Sequence, residues 1–326
     1  MPTQPKLTHL PEFKGSGALY RPLDSQRNEI RILTIWPNED RLAPLECSLR
    51  VESLDDRPRY HALSYYWGPV NAENLDMVLV SGSDEGSPTP SFQVPVTVNL
   101  TSALRKLRSQ TKSAKVPLRT WTDALCINQR NAEERSKQVR LMKRIFESSC
   151  AVLAWLGEGN VVVERGLAGL AQLGNFWGIE GLRLLPHDDD NNDSSSDGPV
   201  EEVPCWTSDE FLKGVEALLD LQYWHRAWVI QEARANAQVY LVYGHTTCRV
   251  VHWESLHSLC LKLASEMIKG SPKMFDAHLY SRTCLAFAHF QRSASSEVDF
   301  ILLLATRSWL CTDPRDFVFA LGSFCP

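Results

Sequence analysis

The stretch LRTWTDALCINQRNAEERSKQVRLMKRIFESSCAVLAWLG, residues 118–157, decides the class of fold. It opens with a mostly apolar run, after which Asn131 is placed to cap a helix, with Glu134 three residues later as in a capping box. Apolar residues then recur at three- and four-residue spacing on one helix face: Val139, Met142, Ile145 and Phe146. A second short apolar run ends at Gly157. We therefore predict strand, helix and strand, joined as a right-handed parallel crossover.

Further apolar runs flank this unit. YHALSYYWG at 60–68 and AQVYLVYG at 237–244 are predicted strands. The polar stretch 81–90 separates MVLV from FQVPVTV, which predicts a hairpin. Because predicted strands alternate with predicted helices, we expect an α/β fold with an open, mainly parallel sheet covered by helices.

Composition excludes several classes of protein. The chain has 34 Lys and Arg against 39 Asp and Glu, a net charge of -5, so it lacks the basic excess of nucleic-acid-binding proteins. It contains neither a signal-peptide-like start nor an apolar run of the roughly 20 residues that span a bilayer, which predicts a cytoplasmic protein without a membrane span. The nine cysteines are scattered and the histidines form no metal-binding pair, so we predict reduced thiols and no metal.

Two segments have an unusual composition. HDDDNNDSSSDGPVEEVP, residues 187–204, is acidic and Ser-rich, and is predicted to be a disordered insertion loop. Its aspartates lack the Gly and Glu spacing of a calcium loop. The chain ends in the apolar run FALGSFCP, from which we expect a further C-terminal region in a longer protein.

Polar and aromatic residues gather at two predicted strand ends. Ser64, Tyr66 and Trp67 end one strand, and Asp123 ends the strand expected beside it. Ligands of open α/β sheets bind outside the carboxyl ends of the strands. An aromatic shelf beside small polar groups would suit a flat base or a ribose. The alternative is that aromatic residues such as Tyr65 and Trp67 are core residues packed under a helix.

A carboxylate in an apolar setting is the strongest chemical signal. LQYWHRAWVIQEARANAQ, residues 221–238, has no proline or glycine and is predicted to be one helix with Trp224, Trp228 and Glu232 on one face. Burying this carboxylate is costly, and the apolar setting should raise its pKa, as acid/base or hydrogen-bonding roles require. The alternative is a structural ion pair with an arginine of the same segment, such as Arg226.

Several stretches together resemble the fungal heterokaryon-incompatibility (HET) domain. The resemblance covers most of the chain, in the order of the family's blocks: YRPLDSQRNEIRILTI at 20–35, YHALSYYWG, WTDALCINQRNAEERSKQVRLMKRIF with VLAWLG, YWHRAWVIQEA, and TDPRDFVFALGSF at 312–324. It implies a single domain over residues 1–326 and a role in self/non-self recognition that leads to programmed cell death. The family is similar in its short motifs to TIR domains, which implies a TIR-like, flavodoxin-like fold with added strands and helices.

The TIR similarity also implies a site. Several TIR domains cleave NAD⁺ with a glutamate that follows a Trp on a helix, and Glu232 takes that place four residues after Trp228. NAD⁺ would then be a substrate and not a cofactor. The similarity also implies which residues bind the other parts of the substrate. Tyr66 and Trp67 would stack on the base, Ser64 and Asp123 would bind the ribose, and Arg226 would bind a phosphate. The alternative is a non-enzymatic module that signals by self-association or by binding another incompatibility protein.

Overall fold

A computed structural model of the chain describes residues 13–251, apart from gaps at 39, 41–42, 83–89, 111–115, 180–181, 186–207 and 237, and a few residues between 255 and 265. The disordered loop predicted at 187–204 and the HET-like segment at 312–324 lie outside the described residues. So does the chain end at residue 326.

Ten described strands form one sheet. They are β1 (Glu29–Ile35), β2 (Glu46–Ser53), β3 (His61–Tyr65), β4 (Leu75–Gly82), β5 (Ser91–Thr97), β6 (Leu118–Trp121), β7 (Val152–Gly157), β8 (Leu182–Leu184), β9 (Val239–Tyr243) and β10 (Thr246–Val250). The described helices are α1 (Ser16–Leu19), α2 (Val98–Gln110), α3 (Asp123–Cys126), α4 (Ala132–Ser148), α5 (Val161–Trp177), α6 (Asp209–Leu219) and α7 (Ala227–Arg234). The strand order is β5-β4-β2-β1-β6-β3-β7-β9-β10-β8.

The sheet is mixed, and the prediction of a mainly parallel sheet is wrong. Its centre is parallel, because β3 pairs in parallel with both β6 and β7, and β7 with β9. Antiparallel pairs follow on both sides: β1 is antiparallel to β6 and β2, and β10 is antiparallel to β9 and β8, whereas β2 and β4 are again parallel. The predicted hairpin between β4 and β5 is confirmed. Short connections allow antiparallel pairing of consecutive strands such as β9 and β10.

The predicted strand, helix and strand at 118–157 are confirmed as β6, α4 and β7, with β3 inserted between the two strands. Asn131 caps α4, since its Oδ1 accepts from the backbone N–H groups of Glu133 and Glu134, both at 3.1 Å. The Glu134 side chain accepts from Asn128 N instead, at 2.7 Å, and pairs with Arg31. The helix buries the predicted face: Met142, Ile145 and Phe146 are buried, and Val139 partly so.

The segment 221–238 is not one helix. Gln222–His225 form a 3-10 turn, Arg226 is extended at φ -76° and ψ 131°, and only Ala227–Arg234 are α-helical. Trp224 therefore does not share a helix face with Trp228 and Glu232. No glycine or proline causes this break. The Arg226 guanidinium reaches the backbone carbonyl of Tyr65, and such tertiary contacts outweigh helix propensity.

The parallel centre of the sheet positions the site. The register pairs Ala62 of β3 with Trp121 of β6, so Ser64 lies level with the residues that follow β6. Helix α7 packs against β3, β7 and α4 at this end. Among the described residues, no helix is long and apolar enough to cross a bilayer.

Candidate functional site

Two carboxyl groups lie on either side of one guanidinium at the carboxyl ends of β3 and β6. Arg226 Nη2 is 3.7 Å from Asp123 Oδ2 and 3.6 Å from Glu232 Oε1. Its Nη1 donates to the carbonyl oxygen of Tyr65, the last residue of β3. Asp123 begins α3 directly after β6, and Glu232 lies in α7, so three separate chain segments meet at Arg226.

Glu232 is the most deeply buried charged group of this site, with 2% of its surface exposed. Its Oε2 accepts a hydrogen bond from the Ser64 hydroxyl. The Tyr223 hydroxyl lies 2.9 Å from the same Ser64 oxygen. Both oxygens of Glu232 are therefore engaged, one by Ser64 and the other by Arg226.

Asp123 is held by its neighbours on several sides. Trp67 Nε1 donates to Asp123 Oδ2 at 2.8 Å, and Gln129 Nε2 donates to the Asp123 backbone carbonyl at 2.6 Å. Asp123 Oδ1 and the Tyr65 hydroxyl are buried and make no hydrogen bond of ordinary geometry within the described structure. The Tyr65 hydroxyl and the backbone N–H of Ala124 nevertheless lower the pKa of Asp123, so the two buried oxygens lie close to each other.

Two aromatic rings, those of Tyr65 and Trp67, lie beside Asp123. The rings of Tyr65 and Trp67 stack, with centroids 6.1 Å apart and planes inclined by 12°. Tyr65 is fully buried, as the core-residue interpretation predicts, whereas Trp67 is only partly buried. The indole of Trp67 thus packs on Tyr65 and leaves part of its surface available.

Burial and the neighbouring charges set the protonation of the site. Burial has the largest effect on Glu232 and raises its pKa, and the charge of Asp123 raises it further. Arg226 and the Ser64 hydrogen bond lower the pKa, and the net shift is upward. Burial likewise raises the pKa of Asp123 against the lowering effects of Arg226 and the Trp67 hydrogen bond. The predicted upward shift for Glu232 is confirmed. Burial lowers the pKa of Arg226, but Glu232 and Asp123 outweigh burial and raise it.

The charges do not balance when both carboxyl groups are ionised. Arg226 stays protonated, so two carboxylates around it leave one net negative charge in a buried place. Burial is the main cause of both raised pKa values, and the charge of Asp123 adds to the upward shift of Glu232, so this part of the protein binds a proton readily. A cationic ligand would also relieve the excess negative charge. The arrangement can therefore stabilise positive charge that lies beside Asp123 and Glu232.

The structure brings together most of the predicted site residues. Ser64, Trp67, Asp123, Arg226 and Glu232 form one connected network. The alternative of an ion pair between Glu232 and Arg226 is also borne out by this network, at 3.6 Å. The catalytic and substrate-binding roles of these residues stay predictions.

The two remaining predicted residues lie around the network. Trp228 is half-buried on α7, one turn before Glu232. Tyr66 is half-buried, and its carbonyl accepts from Asn99 Nδ2, while Asn99 Oδ1 accepts from Trp155 Nε1 at 2.9 Å. Asn99 therefore fixes the loop after β3 against β7. Its contribution to the loop is not visible in the sequence pattern.

Tyr223 is the residue that sequence reasoning missed. It is 1% exposed and edge-on to Trp224, with ring centroids 5.0 Å apart. In the sequence it is one more aromatic residue before the Trp-His-Arg-Ala-Trp run, and periodicity does not separate it from core residues. Within the described ranges, no group of three His, Cys, Asp or Glu residues is arranged to hold a metal ion.

The fold and the site are those of an α/β protein in which Arg226 bridges two carboxyl groups at the carboxyl ends of the parallel strands. Residues 60–232 match the family described as Heterokaryon incompatibility protein (HET), and this range is more than half of the 326-residue chain. The range includes every residue of the network. The chain therefore belongs to the HET family.

One curated relative is informative. The chain is 33% identical over 153 residues to "Heterokaryon incompatibility protein 6, OR allele" of Neurospora crassa, a match that covers 47% of this chain. The match covers only 22% of that relative, so the chain spans about a fifth of its length. No solved structure matches the chain significantly, and the TIR-like fold stays a prediction.

Proposed function

We propose that this chain is a cell-death effector of fungal self/non-self recognition and that it cleaves NAD⁺ at the bond between nicotinamide and ribose. Membership of the HET family and similarity to Heterokaryon incompatibility protein 6 support the biological role. The chemistry is proposed by analogy with TIR domains, and an analogy between folds is weaker support than a site. The buried carboxyl pair around Arg226 is the observation that carries it.

The electrostatics of the pair suit this substrate. The nicotinamide ring of NAD⁺ is cationic, and its positive charge moves to the ribose C1′ as the bond breaks, giving an oxocarbenium-like state. An excess of negative charge held in a buried site stabilises such a state without reorganisation. When both are ionised, Asp123 and Glu232 supply that excess, because one guanidinium neutralises only one of them.

The reaction balances as a hydrolysis. The bond between C1′ and the ring nitrogen breaks, its electron pair goes to the nitrogen, and nicotinamide leaves as a neutral molecule. No general acid is needed for this departure. Water adds to C1′ and loses a proton to a carboxylate of the pair, which yields ADP-ribose. In this scheme a ribose hydroxyl donates to the Asp123 carboxyl, and the available surface of Trp67 stacks on a base.

A second function is favoured by a different observation. Glu232 is 2% exposed and has both oxygens engaged, which is also what a structural ion pair requires. On this account the chain is a non-enzymatic module that signals by self-association or by binding another incompatibility protein, and the network only stabilises the fold.

The decisive experiment measures free nicotinamide after incubation of the purified protein with NAD⁺, over a range of protein concentrations so that assembly-dependent activity is included. Glu232→Gln removes the charge and keeps the shape, so activity should fall about 10²–10³-fold while the protein still folds. Glu134→Gln is the matched control, since Glu134 is a partly buried partner of Arg31 and is not among the groups that shift the pKa of Glu232 or Asp123. It should lower stability and keep activity. Equal activity of a folded Glu232→Gln protein would support the signalling module.

A further inference from the structure

A chain of hydroxyl groups lies behind Glu232. Ser64 Oγ donates to Glu232 Oε2, and Tyr223 Oη lies 2.9 Å from Ser64 Oγ. The three residues come from β3, from the 3-10 turn Gln222–His225 and from α7. Each is 1–2% exposed, so water does not compete for these hydrogen bonds. We call Tyr223, Ser64 and Glu232 the hydroxyl relay.

The direction of the relay follows from the number of protons. A serine hydroxyl carries one hydrogen, and an ionised carboxylate only accepts. When Glu232 is ionised, Ser64 therefore donates to Glu232, and Tyr223 must donate to Ser64. When Glu232 is protonated, it can donate to Ser64, and Ser64 can then donate to Tyr223. Both hydrogen bonds of the relay are kept in both protonation states of Glu232, with their direction reversed, although in the reversed direction the Tyr223 hydrogen has no acceptor within the relay.

Glu134, the partner of Arg31, has a different environment. It accepts from the Arg31 guanidinium and from the backbone N–H of Asn128, which are all fixed donors. A fixed donor cannot reverse the direction of its hydrogen bond, whereas a hydroxyl can. Of these two glutamates, only Glu232 has a hydroxyl partner.

We infer that Ser64 and Tyr223 are positioning residues, which hold Glu232 Oε2 in one orientation while Glu232 changes its protonation state. This role differs from the ribose contact predicted for Ser64, whose hydroxyl faces Glu232. The inference rests on the proposed function where activity is the readout, because the proton that Glu232 handles belongs to the hydrolysis. The titratable and charged groups that act on Glu232 are Arg226, Asp123, Tyr65 and Tyr223.

The first test is the pH dependence of NAD⁺ cleavage by Tyr223→Phe. This change removes the donor to Ser64 and weakens the hydrogen bond that lowers the pKa of Glu232. Activity near neutral pH should fall about twofold to tenfold, the effect of losing one hydrogen bond between neutral groups. The rising limb of the profile should move to higher pH, so that raising the pH restores part of the activity. Ser64→Ala should do the same.

Matched controls separate positioning from stability. Tyr60 is also 1% exposed, and its hydroxyl donates to the carbonyl of Ile145, far from Glu232. Ser53 is a buried serine whose hydroxyl donates to the carbonyl of Arg27. Tyr60→Phe and Ser53→Ala should lower the melting temperature as much as the relay variants and leave the pH profile in place.

The second test does not use catalysis. The free energy of unfolding is measured by urea denaturation as a function of pH for the wild type, Tyr223→Phe, Glu232→Gln and the double variant. Because the Glu232 pKa is raised by folding, the stability that Glu232 gives is full at low pH and is lost as pH rises through its folded pKa. In Tyr223→Phe the decline of the unfolding free energy should continue to higher pH than in the wild type. This difference between Tyr and Phe at position 223 should vanish when Glu232 is already Gln.

The outcomes distinguish the two proposals. Suppose that the wild-type protein cleaves no NAD⁺, but that Tyr223→Phe still moves the loss of stability to higher pH. This result overturns the proposed hydrolysis and leaves the hydroxyl relay intact. An active protein in which Tyr223→Phe and Tyr60→Phe have the same pH profile and the same stability curve overturns the relay.

Discussion

Trp67 Nε1 donates a 2.8 Å hydrogen bond to Asp123 Oδ2, which ties the loop after β3 to the first residue of α3. The two residues are 56 positions apart in the chain and meet because β3 and β6 are parallel neighbours. The same carboxyl oxygen lies 3.7 Å from Arg226 Nη2. Trp67 is therefore part of the polar network as well as of the aromatic stack.

Trp67→Phe keeps the stacked ring and removes the donor to Asp123. We expect a loss of about 1.5–3 kcal/mol in the free energy of unfolding near neutral pH, the usual contribution of a hydrogen bond to a charged group. Trp155→Phe is the control, since Trp155 Nε1 donates to the neutral amide oxygen of Asn99 at 2.9 Å and its loss should cost about 0.5–1.5 kcal/mol. Urea denaturation measures both. Equal losses for the two variants would mean that Asp123 is not charged in the folded protein.

Arg226→Met should be among the most destabilising changes in the described structure. It leaves Asp123 and Glu232 buried without their cation, and breaking a buried ion pair typically costs about 3–5 kcal/mol. Adding Glu232→Gln removes one of the stranded charges, so the double variant should be more stable than Arg226→Met alone. Urea denaturation at pH 7 tests this coupling. A double variant that is less stable than the single one contradicts an electrostatic role for Arg226.

Stability should fall as pH rises above the ordinary range of carboxyl titration. Burial raises the folded-state pKa of both Glu232 and Asp123 above the unfolded values, so the folded protein binds more protons than the unfolded chain between those values. The contribution of these groups is full below about pH 4 and is lost as pH rises through the folded pKa values. The slope approaches about 1.4 kcal/mol per pH unit for each proton.

Glu232→Gln and Asp123→Asn are the measurements that isolate this effect. Each removes one raised pKa, so each should flatten the decline of stability with pH, and the free energy of unfolding should be compared from pH 4 to 9. Asp55→Asn is the control, because Arg144 and Asn28 lower the pKa of that exposed carboxyl, so its contribution changes only below about pH 4 and the slope from pH 4 to 9 should stay as in the wild type. A slope that Glu232→Gln and Asp123→Asn both leave unchanged contradicts the upward shifts.

Gly214→Ala tests the packing of helices α5 and α6. Helices α5 and α6 touch through their backbones, and a Cβ on Gly214 would lie 2.8 Å from the backbone nitrogen of Gly166. The helices must then separate, and overpacking of this kind costs about 1–3 kcal/mol. Gly17→Ala is the control, since a Cβ there meets nothing within 4 Å. Thermal denaturation compares them, and an unchanged melting temperature for Gly214→Ala would contradict the close crossing.

Local features of the fold were predictable from the sequence. The Asn131 cap, the buried face of α4 and the hairpin of β4 and β5 depend on residues close together in the chain, and each is present. The direction of the outer strands was not predictable in this way. An apolar run has the same alternation whether its neighbour is parallel or antiparallel, so the mixed sheet is a property of the connections.

The sequence by itself determined which residues belong to the site's strand ends and which glutamate is buried. Apolar runs followed by Ser64, Trp67 and Asp123 mark the carboxyl ends of strands, and the indole of Trp228 one turn before Glu232 marks an apolar setting. Burial and the raised pKa of that carboxyl follow from short-range pattern.

Only the tertiary structure decided how these groups are paired. Arg226 is extended and interrupts the predicted helix, because its guanidinium reaches Tyr65, Asp123 and Glu232 at once. Tyr223 becomes part of the relay through Ser64, 159 residues earlier in the chain. Hydrogen bonds and ion pairs between distant segments leave no periodic trace in a sequence. Their energy depends on distances that arise only when the strands and helices have packed.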